Sequence, residues 1–169
     1  YLKNVLETSK TKEFANALYD LEWLSTLGVN TQGSIFDIQV AETLINENRK
    51  SFSLDNISYD YLREKKDETL LEDAVRSMVS ARANVKQNLW KLHSSYVGPY
   101  AEKDAELTMR VFLMQLPILE KEELTKVMKI ESRLIPLLLS MRQKGVRVDI
   151  EKAAKLRDTL VKKQDQVQA

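Results

Sequence analysis

The sequence predicts a mainly helical fold with two short strands. Glycine and proline are scarce, with 4 and 3 residues among 169, which favours long helices over a turn-rich β architecture. Apolar residues recur at helical spacing over most of the chain, most clearly between residues 120 and 144. Only two stretches, Glu13–Asn16 and Ser34–Asp37, have the short, bounded character of buried strands, and we expect them to be parallel.

The amino-terminal third is predicted to alternate short helices with these strands. A helix over about residues 1–8 precedes the first strand. A leucine at every third position then predicts a helix that ends at Gly28; these leucines are Leu18, Leu21, Leu24 and Leu27. The second strand ends at Asp37, which we expect to cap a helix over residues 38–46. A further helix begins at Ser53-Leu54-Asp55.

The middle of the chain is predicted to contain one helix and one loop. Residues 70–79 have helical apolar spacing, and the charged run before them, residues 65–68, is interpreted as solvated surface. Residues 84–98 lack periodicity and are predicted to form a surface loop anchored by Trp90 and Leu92. The single histidine lies in this loop and is interpreted as polar surface.

The last third is predicted to consist of three helices. The first runs from Pro99 to Leu116 and is broken by Pro117. The second covers residues 120–144 and ends at Gly145. The third begins at a capping Asp149 and fades into the polar residues 162–169.

Composition excludes several classes of protein. A net charge of +1 leaves no global field to recruit nucleic acid, so any DNA contact must come from local placement of charge. The absence of cysteine excludes disulfides and thiolate metal sites. No apolar run approaches the ~20 residues that a membrane helix needs. We therefore expect a soluble, cytoplasmic protein with no membrane partner.

Residues 97–108 suggest a chemistry. Tyr100 and Asp104 are four positions apart on the predicted helix, so their side chains share one face. A carboxylate can hold a divalent metal and a neighbouring phenol can orient a water molecule, a combination that serves metal-assisted phosphodiester hydrolysis. The alternative is a structural one, in which the pair is an aspartate near a helix N-terminus beside a half-buried tyrosine.

Tyr100-x-x-x-Asp104, with the following Ala105 and Leu107-Thr108, resembles the third motif of the proofreading 3′–5′ exonuclease domain in family A DNA polymerases. Upstream, residues 16–20 (Asn-Ala-Leu-Tyr-Asp) resemble its second motif, and Ile35-Phe36-Asp37 resembles the strand and helix start that follow. Downstream, residues 131–149 resemble the helix and turn that open the polymerase domain. Residues 84–98 look more like phage members than cellular ones.

The resemblance implies roles for five residues. Asp104 and Asp20 would be metal ligands of a site that uses Mg²⁺ or Mn²⁺, and Tyr100 would orient the attacking water. Asn16 and Tyr19 would lie where the single-stranded 3′ end of DNA passes. Tyr19 has an apolar alternative, since a tyrosine beside a leucine stripe can belong to the core. The remainder of the polymerase polypeptide is the other partner implied.

The resemblance also has a gap. The first motif of the family, an Asp-x-Glu on an amino-terminal strand, has no counterpart among the fifteen residues before Asn16. The chain is therefore expected to be a fragment, with a partial RNase H-like α/β exonuclease domain at residues 1–118 and the helices that open the polymerase domain at 119–169. Half of the metal site would be missing, and the chain alone would be inactive.

Three alternatives stay open at this point. Asp20-Leu21-Glu22 is itself an Asp-x-Glu and would be the first motif if it formed a strand, but the leucine spacing favours a helix, on which residues two apart diverge. A second alternative is a non-catalytic exonuclease-like module that binds DNA or docks a polymerase. The third is a self-contained helical interaction protein whose motif matches are accidental.

Overall fold

A computed structural model describes residues 2–168. They divide into two units, with the boundary between Leu139 and Ser140. The helices are α1 (Leu2–Leu6), α2 (Ala17–Thr26), α3 (Ile38–Ile45), α4 (Leu54–Leu62), α5 (Thr69–Met78), α6 (Val85–Asn88), α7 (Ser94–Lys121), α8 (Thr125–Lys144) and α9 (Ile150–Gln168). The strands are β1 (Lys12–Phe14) and β2 (Ile35–Asp37). Within residues 2–168, no helix is both long enough and apolar enough to cross a membrane.

The predicted fold class, mainly helical with two short strands, is confirmed. The two strands pair in parallel, with Lys12 opposite Ile35 and Phe14 opposite Asp37. β2 ends at Asp37 as predicted and begins one residue later. β1 begins one residue earlier and ends two residues earlier than predicted, since Asn16 adopts a left-handed conformation that interrupts the extended backbone. The helix predicted at residues 1–8 is present from Leu2 to Leu6, and Tyr1 lies outside the described residues.

Asp37 joins β2 to the start of α2 and of α3. One carboxylate oxygen accepts a hydrogen bond from Gln39 N at 2.8 Å, which caps α3 as predicted. The other oxygen accepts from Ala17 N at 2.7 Å, the first residue of α2. Asn16 N donates to the same carboxylate at 3.3 Å. One buried side chain therefore fixes the turn at which the second motif begins.

Helix α7 is the central helix of the first unit. It contacts β1, α3, α4 and α5, and its buried side chains lie at the helical spacing that the sequence predicts. These are Leu107, Thr108, Val111, Gln115 and Leu119. Three of them, Leu107, Val111 and Leu119, share the main apolar core with residues that include Phe36, Ile38 and Ile57.

The predicted limits of α7 were wrong. The helix begins five residues before Pro99 and continues through Pro117, and residues 85–91 of the predicted loop form α6 and a single 3-10 turn. An interior proline removes one hydrogen bond and costs roughly 3 kcal/mol, but buried residues on both sides of Pro117 hold the helix together. The chain breaks instead at Glu123, which has a left-handed φ of 59°. Trp90 is 78% exposed and anchors nothing.

A buried polar network connects α3 with α7. Glu42 is 2% exposed, and Arg49 Nη1 donates to its Oε1 at 2.9 Å. Gln115 Nε2 donates to the other oxygen at 3.0 Å and to Ile38 O at 3.0 Å. The contacts of Gln115 join α7 to α3, and both helices carry residues of the cavity described below.

Helix α8 buries less than its apolar pattern predicts. Among the residues expected to face a core, Met128 and Ile135 are buried and Leu124 is half-buried. The others, Val127, Leu134, Leu138 and Met141, are exposed. Periodicity therefore located the helix but overstated the width of its packed face.

In the second unit, residues 140–168, the predicted turn is present. Gly145 has a φ of 70°, a conformation that glycine adopts without strain, and it ends α8. Asp149 Oδ1 accepts from Lys152 N at 3.0 Å and caps α9. The helix continues to Gln168 instead of fading after residue 161, because lysine and glutamine are good helix formers.

Candidate active site

The five residues singled out from the sequence line one cavity of about 800 Å³ in the first unit. Asn16, Tyr19 and Asp20 reach it from the start of α2, and Tyr100 and Asp104 reach it from α7. Although eighty positions separate Asp20 from Tyr100 in the sequence, β1 and the α7 packing bring their helices together. The cavity lining also includes charged and amide side chains that sequence reasoning did not select, and these belong to Glu13, Gln39, Lys66 and Lys86.

Buried residues of α7 fix the part of this helix that lines the cavity. Tyr100 and Asp104 lie one turn apart on the same face. Thr108, one further turn along, donates its hydroxyl to Asp104 O at 2.8 Å and is itself buried. Because Leu107 is completely buried beside it, this part of α7 cannot rotate without opening the core.

The α2 side shows that Asp20-Leu21-Glu22 is not a strand motif. These residues lie within a regular helix, in which Leu21 is buried and Glu22 is absent from the cavity lining. Residues two apart diverge by roughly 200° on a helix. The predicted helix over the leucine stripe is confirmed, and the alternative that made this triplet the first motif is wrong.

The folded environment disfavours the ionised form of Asp20. Burial raises the pKa of Asp20, and the charges of Asp37 and Asp104 raise it further. The carboxylates of Asp20 and Asp104 therefore interact electrostatically across the cavity. A divalent cation placed between them would relieve this repulsion.

Asp20→Asn is expected to stabilise the chain at neutral pH. A carboxyl whose pKa is raised by folding binds its proton more tightly in the folded state, so its ionised form costs stability above the folded-state pKa. This cost is present at pH 7 and shrinks as the pH falls toward the ordinary value of 3.8. Urea denaturation of the wild type and the variant at pH 7 and pH 4 measures the difference.

Asp67→Asn is the matched control, and its effect on the free energy of unfolding should have the opposite sign. Hydrogen bonds from Thr69, one of them from its backbone N at 3.0 Å, lower the pKa of Asp67, so ionised Asp67 favours the folded state. Asp67→Asn should therefore destabilise at pH 7. An equal stability gap for Asp20→Asn at both pH values would contradict the electrostatic account.

Lys66 corrects the interpretation of residues 65–68 as solvated surface. Its side chain is 8% exposed, and Nζ lies 3.1 Å from Asp104 Oδ1. It also donates to the Tyr100 hydroxyl at 3.2 Å and lies 4.9 Å from the centre of that ring. Burial alone would lower the pKa of Lys66, but its polar contacts with Tyr100 and Asp104 prevail and raise it to about 12. Lys66 is therefore a permanent cation in the cavity.

Two further carboxylates lie at the edge of the Lys66 environment. Asp55 Oδ1, in the first turn of α4, is 3.8 Å from Lys66 Nζ, and Glu68 Oε1 is 4.0 Å away. Among the described residues, the buried Oδ1 atoms of Asp55 and Asp104 accept no directed hydrogen bond. Both atoms lie within 4 Å of the Lys66 ammonium, which compensates part of their charge.

The residues present do not form a complete two-metal site. Among residues 2–168, no three carboxylate or imidazole side chains lie close enough together to hold a metal ion. Asp20 and Asp104 are the two carboxylates proposed as ligands, and Glu13 of β1 also lines the cavity without forming a group of three with them. Two divalent ions about 3.5–4 Å apart need more carboxylates than these two. Asp104 also has an ammonium rather than open space next to one of its oxygens.

An exposed aromatic pair extends from the cavity along α2. Tyr19 is 54% exposed and Trp23, one turn later, is 58% exposed. Their ring centres are 6.4 Å apart in an edge-to-face arrangement. The exposure excludes the alternative that made Tyr19 a core residue. Trp23 was missed from the sequence because an aromatic residue beside a leucine stripe is usually buried.

The chain is similar to the 3′–5′ exonuclease domains of known polymerases. The matching family model is described as a 3′–5′ exonuclease and covers residues 1–122. A DNA-directed DNA polymerase of Pseudomonas phage M6 is 34% identical over 140 residues, which are 82% of this chain and 21% of that protein. A DNA polymerase DpoZ of Salmonella phage PMBT28 is 29% identical over 154 residues, 89% of this chain and 25% of that protein.

A cellular polymerase also aligns. DNA polymerase I of Chloroflexus aurantiacus is 26% identical over 138 residues, 80% of this chain and 14% of that protein. The chain thus spans about a quarter or less of the length of these three relatives. The identity is higher with these two phage proteins than with the Chloroflexus polymerase. The extent of the family match shows that this chain belongs to the 3′–5′ exonuclease family of family A DNA polymerases.

Proposed function

We propose that this chain contributes part of the proofreading site of a DNA polymerase, which removes mismatched nucleotides from a 3′ end. The observation that supports it most is the meeting of Asp20, Tyr100 and Asp104 in one cavity. These side chains come from two motifs far apart in sequence, and an accidental motif match would not bring them together. This convergence argues against a self-contained helical interaction protein.

Each residue has a role in this proposal. Asp104 and Asp20 present carboxylate oxygens, the ligands that Mg²⁺ and Mn²⁺ prefer. Such ions, when bound, supply charge stabilisation and lower the pKa of the attacking water. The Tyr100 hydroxyl orients that water from the next turn of α7. Asn16, whose backbone is fixed by Asp37, contacts the terminal nucleotide.

We further propose that residues 1–118 correspond to the later part of an RNase H-like exonuclease domain and residues 119–169 to the opening of the polymerase domain. The parallel pairing of β1 and β2 supports the first assignment. The helix–glycine–helix arrangement around Gly145 supports the second. Because the cavity carboxylates among the described residues do not gather into a group that could hold a metal ion, the 169-residue chain alone is proposed to be inactive.

The aromatic pair offers a path for the nucleotides behind the 3′ end. Base–aromatic stacking contributes about 1–3 kcal/mol per base and tolerates every base, as a proofreading site requires. Tyr19 lies at the cavity, and Trp23 lies one turn farther along α2. We propose that the terminal bases stack first on Tyr19 and then on Trp23.

Trp23→Ala is expected to weaken binding of a short oligothymidylate by about tenfold, which is one lost stacking contact. Trp90→Ala is a matched control, because Trp90 is also exposed, whereas the ring next to Tyr19 belongs to Trp23. In fluorescence titrations, the oligonucleotide should quench Trp90→Phe, which retains Trp23, and leave Trp23→Phe unquenched. Equal quenching of the two variants would contradict the path.

The second candidate function is a non-catalytic module that binds DNA without hydrolysing it. The incomplete carboxylate set among the described residues favours it. Both functions predict oligonucleotide binding, so binding alone does not separate them. The two functions differ in whether a longer polypeptide, which includes an upstream Asp-x-Glu, releases mononucleotides in the presence of Mg²⁺. Such release would support the exonuclease.

A further inference from the structure

The position of Lys66 beside Asp104 has a consequence for metal binding. Asp104 Oδ1 accepts no directed hydrogen bond among the described residues, and the cation it meets is the Lys66 ammonium at 3.1 Å. The same ammonium is 3.8 Å from Asp55 and is held by the Tyr100 hydroxyl at 3.2 Å. Thus Lys66 contacts both Tyr100 and Asp104, on which the proposed function depends.

We propose that the Lys66 ammonium competes with a divalent metal ion for the Asp104 carboxylate, because it occupies the space beside Asp104 Oδ1 that the ion would take. The inference rests on the proposed function, in which Asp104 is a metal ligand. Mg²⁺ binds carboxylate oxygens at about 2.0–2.1 Å. An ammonium about 3 Å from the same oxygen would then lie within a few ångströms of the ion and repel it strongly.

Metal binding at Asp104 therefore requires Lys66 to leave. The lysine lies between α4 and α5, outside any regular element, and its flexible four-carbon side chain can point its charge elsewhere. Without metal, Lys66 compensates the charge of the half-buried Asp104. With metal, the ammonium is released toward the cavity or the solvent. The lysine thus weakens metal binding. It also ensures that a cation lies beside the Asp104 carboxylate both without metal, when the cation is Lys66, and with metal, when it is the bound ion.

The first test measures Mn²⁺ affinity of the 169-residue chain by electron paramagnetic resonance. Lys66→Met should bind Mn²⁺ at least about tenfold more tightly than the wild type, because it removes the competing charge. Lys66→Arg, which keeps the charge, should remain weak. Lys86→Met removes a different positive charge from the same cavity and should change the affinity less than about threefold.

The second test uses the wild-type chain and does not depend on the folding of a variant. Amine-reactive labelling followed by mass spectrometry should find Lys66 protected without metal and labelled after Mg²⁺ is added. The exposed neighbour Lys65 should be labelled equally in both conditions. Sodium at matched ionic strength should leave Lys66 protected.

Asp104→Asn separates failure of this inference from failure of the proposed function. If Mn²⁺ binding depends on Asp104 but Lys66→Met leaves the affinity unchanged or lowers it, the competition is wrong and the metal site stands. If Lys66→Met weakens oligonucleotide binding with no change in Mn²⁺ affinity, Lys66 is a phosphate-binding residue instead. If the chain binds Mn²⁺ and Asp104→Asn leaves the affinity unchanged, Asp104 is not a metal ligand and both proposals fail. If neither the wild type nor Lys66→Met binds Mn²⁺, the competition alone is wrong.

Discussion

A longer polypeptide, in which an Asp-x-Glu strand precedes these 169 residues, is expected to release mononucleotides from the 3′ end of single-stranded DNA in the presence of Mg²⁺. The 169-residue chain alone is expected to release none. The reason is charge: two carboxylates cannot neutralise two dications, and without both ions neither the water nor the leaving oxygen is stabilised. Release of label from a 3′-labelled oligonucleotide measures both polypeptides side by side.

Within the longer polypeptide, Asp104→Ala should reduce the rate by more than about a hundredfold. Loss of residues that only support metal ligands already costs 10–100-fold, and Asp104 is proposed as a ligand itself. Tyr100→Phe should cost less, roughly tenfold, because it removes one hydrogen bond to water and leaves the carboxylates in place. Asp73→Ala, an exposed carboxylate of α5 outside the cavity lining, is the matched control and should be neutral.

The outcome that would contradict this account is cleavage by the 169-residue chain itself. If that cleavage were strong and were lost in Asp20→Ala, the carboxylates present would suffice, and the proposed incompleteness of the site would be wrong. If the longer polypeptide bound oligonucleotide but never cleaved it, the non-catalytic module would be the better description. In the first outcome the 169-residue chain cleaves DNA, and in the second neither polypeptide does.

The parts of the fold that could be predicted from sequence are those fixed by local spacing. The leucine stripe located α2, and the position of Asp37 before an apolar helix identified its capping role. Tyr100 and Asp104 were grouped because residues four apart share a helix face. The backbone alone determines such relations, so they hold whatever the rest of the chain does.

The parts that could not be predicted depend on contacts between distant segments. Lys66 lies in a charged run that is typical of a solvated surface, and only the packing of α4 and α5 on α7 buries it beside Asp104. Pro117 was expected to end a helix, but burial of Gln115 and Leu119 outweighs the lost hydrogen bond. Trp90 was expected to anchor a surface loop, yet its side chain is 78% exposed and its contacts are local, with Lys91 Nζ 5.2 Å from its ring centre and a hydrogen bond from Nε1 to Gln87 O.

Arg49→Met is expected to give the largest loss of stability of any single change considered, about 3–5 kcal/mol in the free energy of unfolding. It would leave the buried carboxylate of Glu42 without its cation, while Gln115 offers only one neutral hydrogen bond in return. Arg49 also donates to Ser51 O and Asn56 O, both at 2.8–2.9 Å, which would lose their partner. Urea denaturation followed by circular dichroism measures the change.

The double variant Glu42→Leu/Arg49→Met distinguishes two causes of the stability loss, namely the unpaired Glu42 carboxylate and the other contacts that Arg49 makes. Removing both charges eliminates the unpaired carboxylate, so most of the loss should be recovered if that carboxylate is the cause. The remaining deficit would then reflect the loop carbonyls and the lost hydrogen bond from Gln115 Nε2 to Glu42, while Gln115 Nε2 still donates to Ile38 O. Because α7 also carries Tyr100 and Asp104, Arg49→Met should weaken Mn²⁺ binding at temperatures where it begins to unfold, and the double variant should not. If Arg49→Met unfolded at the same urea concentration as the wild type, the Glu42–Arg49 pair would contribute no more to the free energy of unfolding than an exposed ion pair does. The position of α7 would then depend on its apolar contacts.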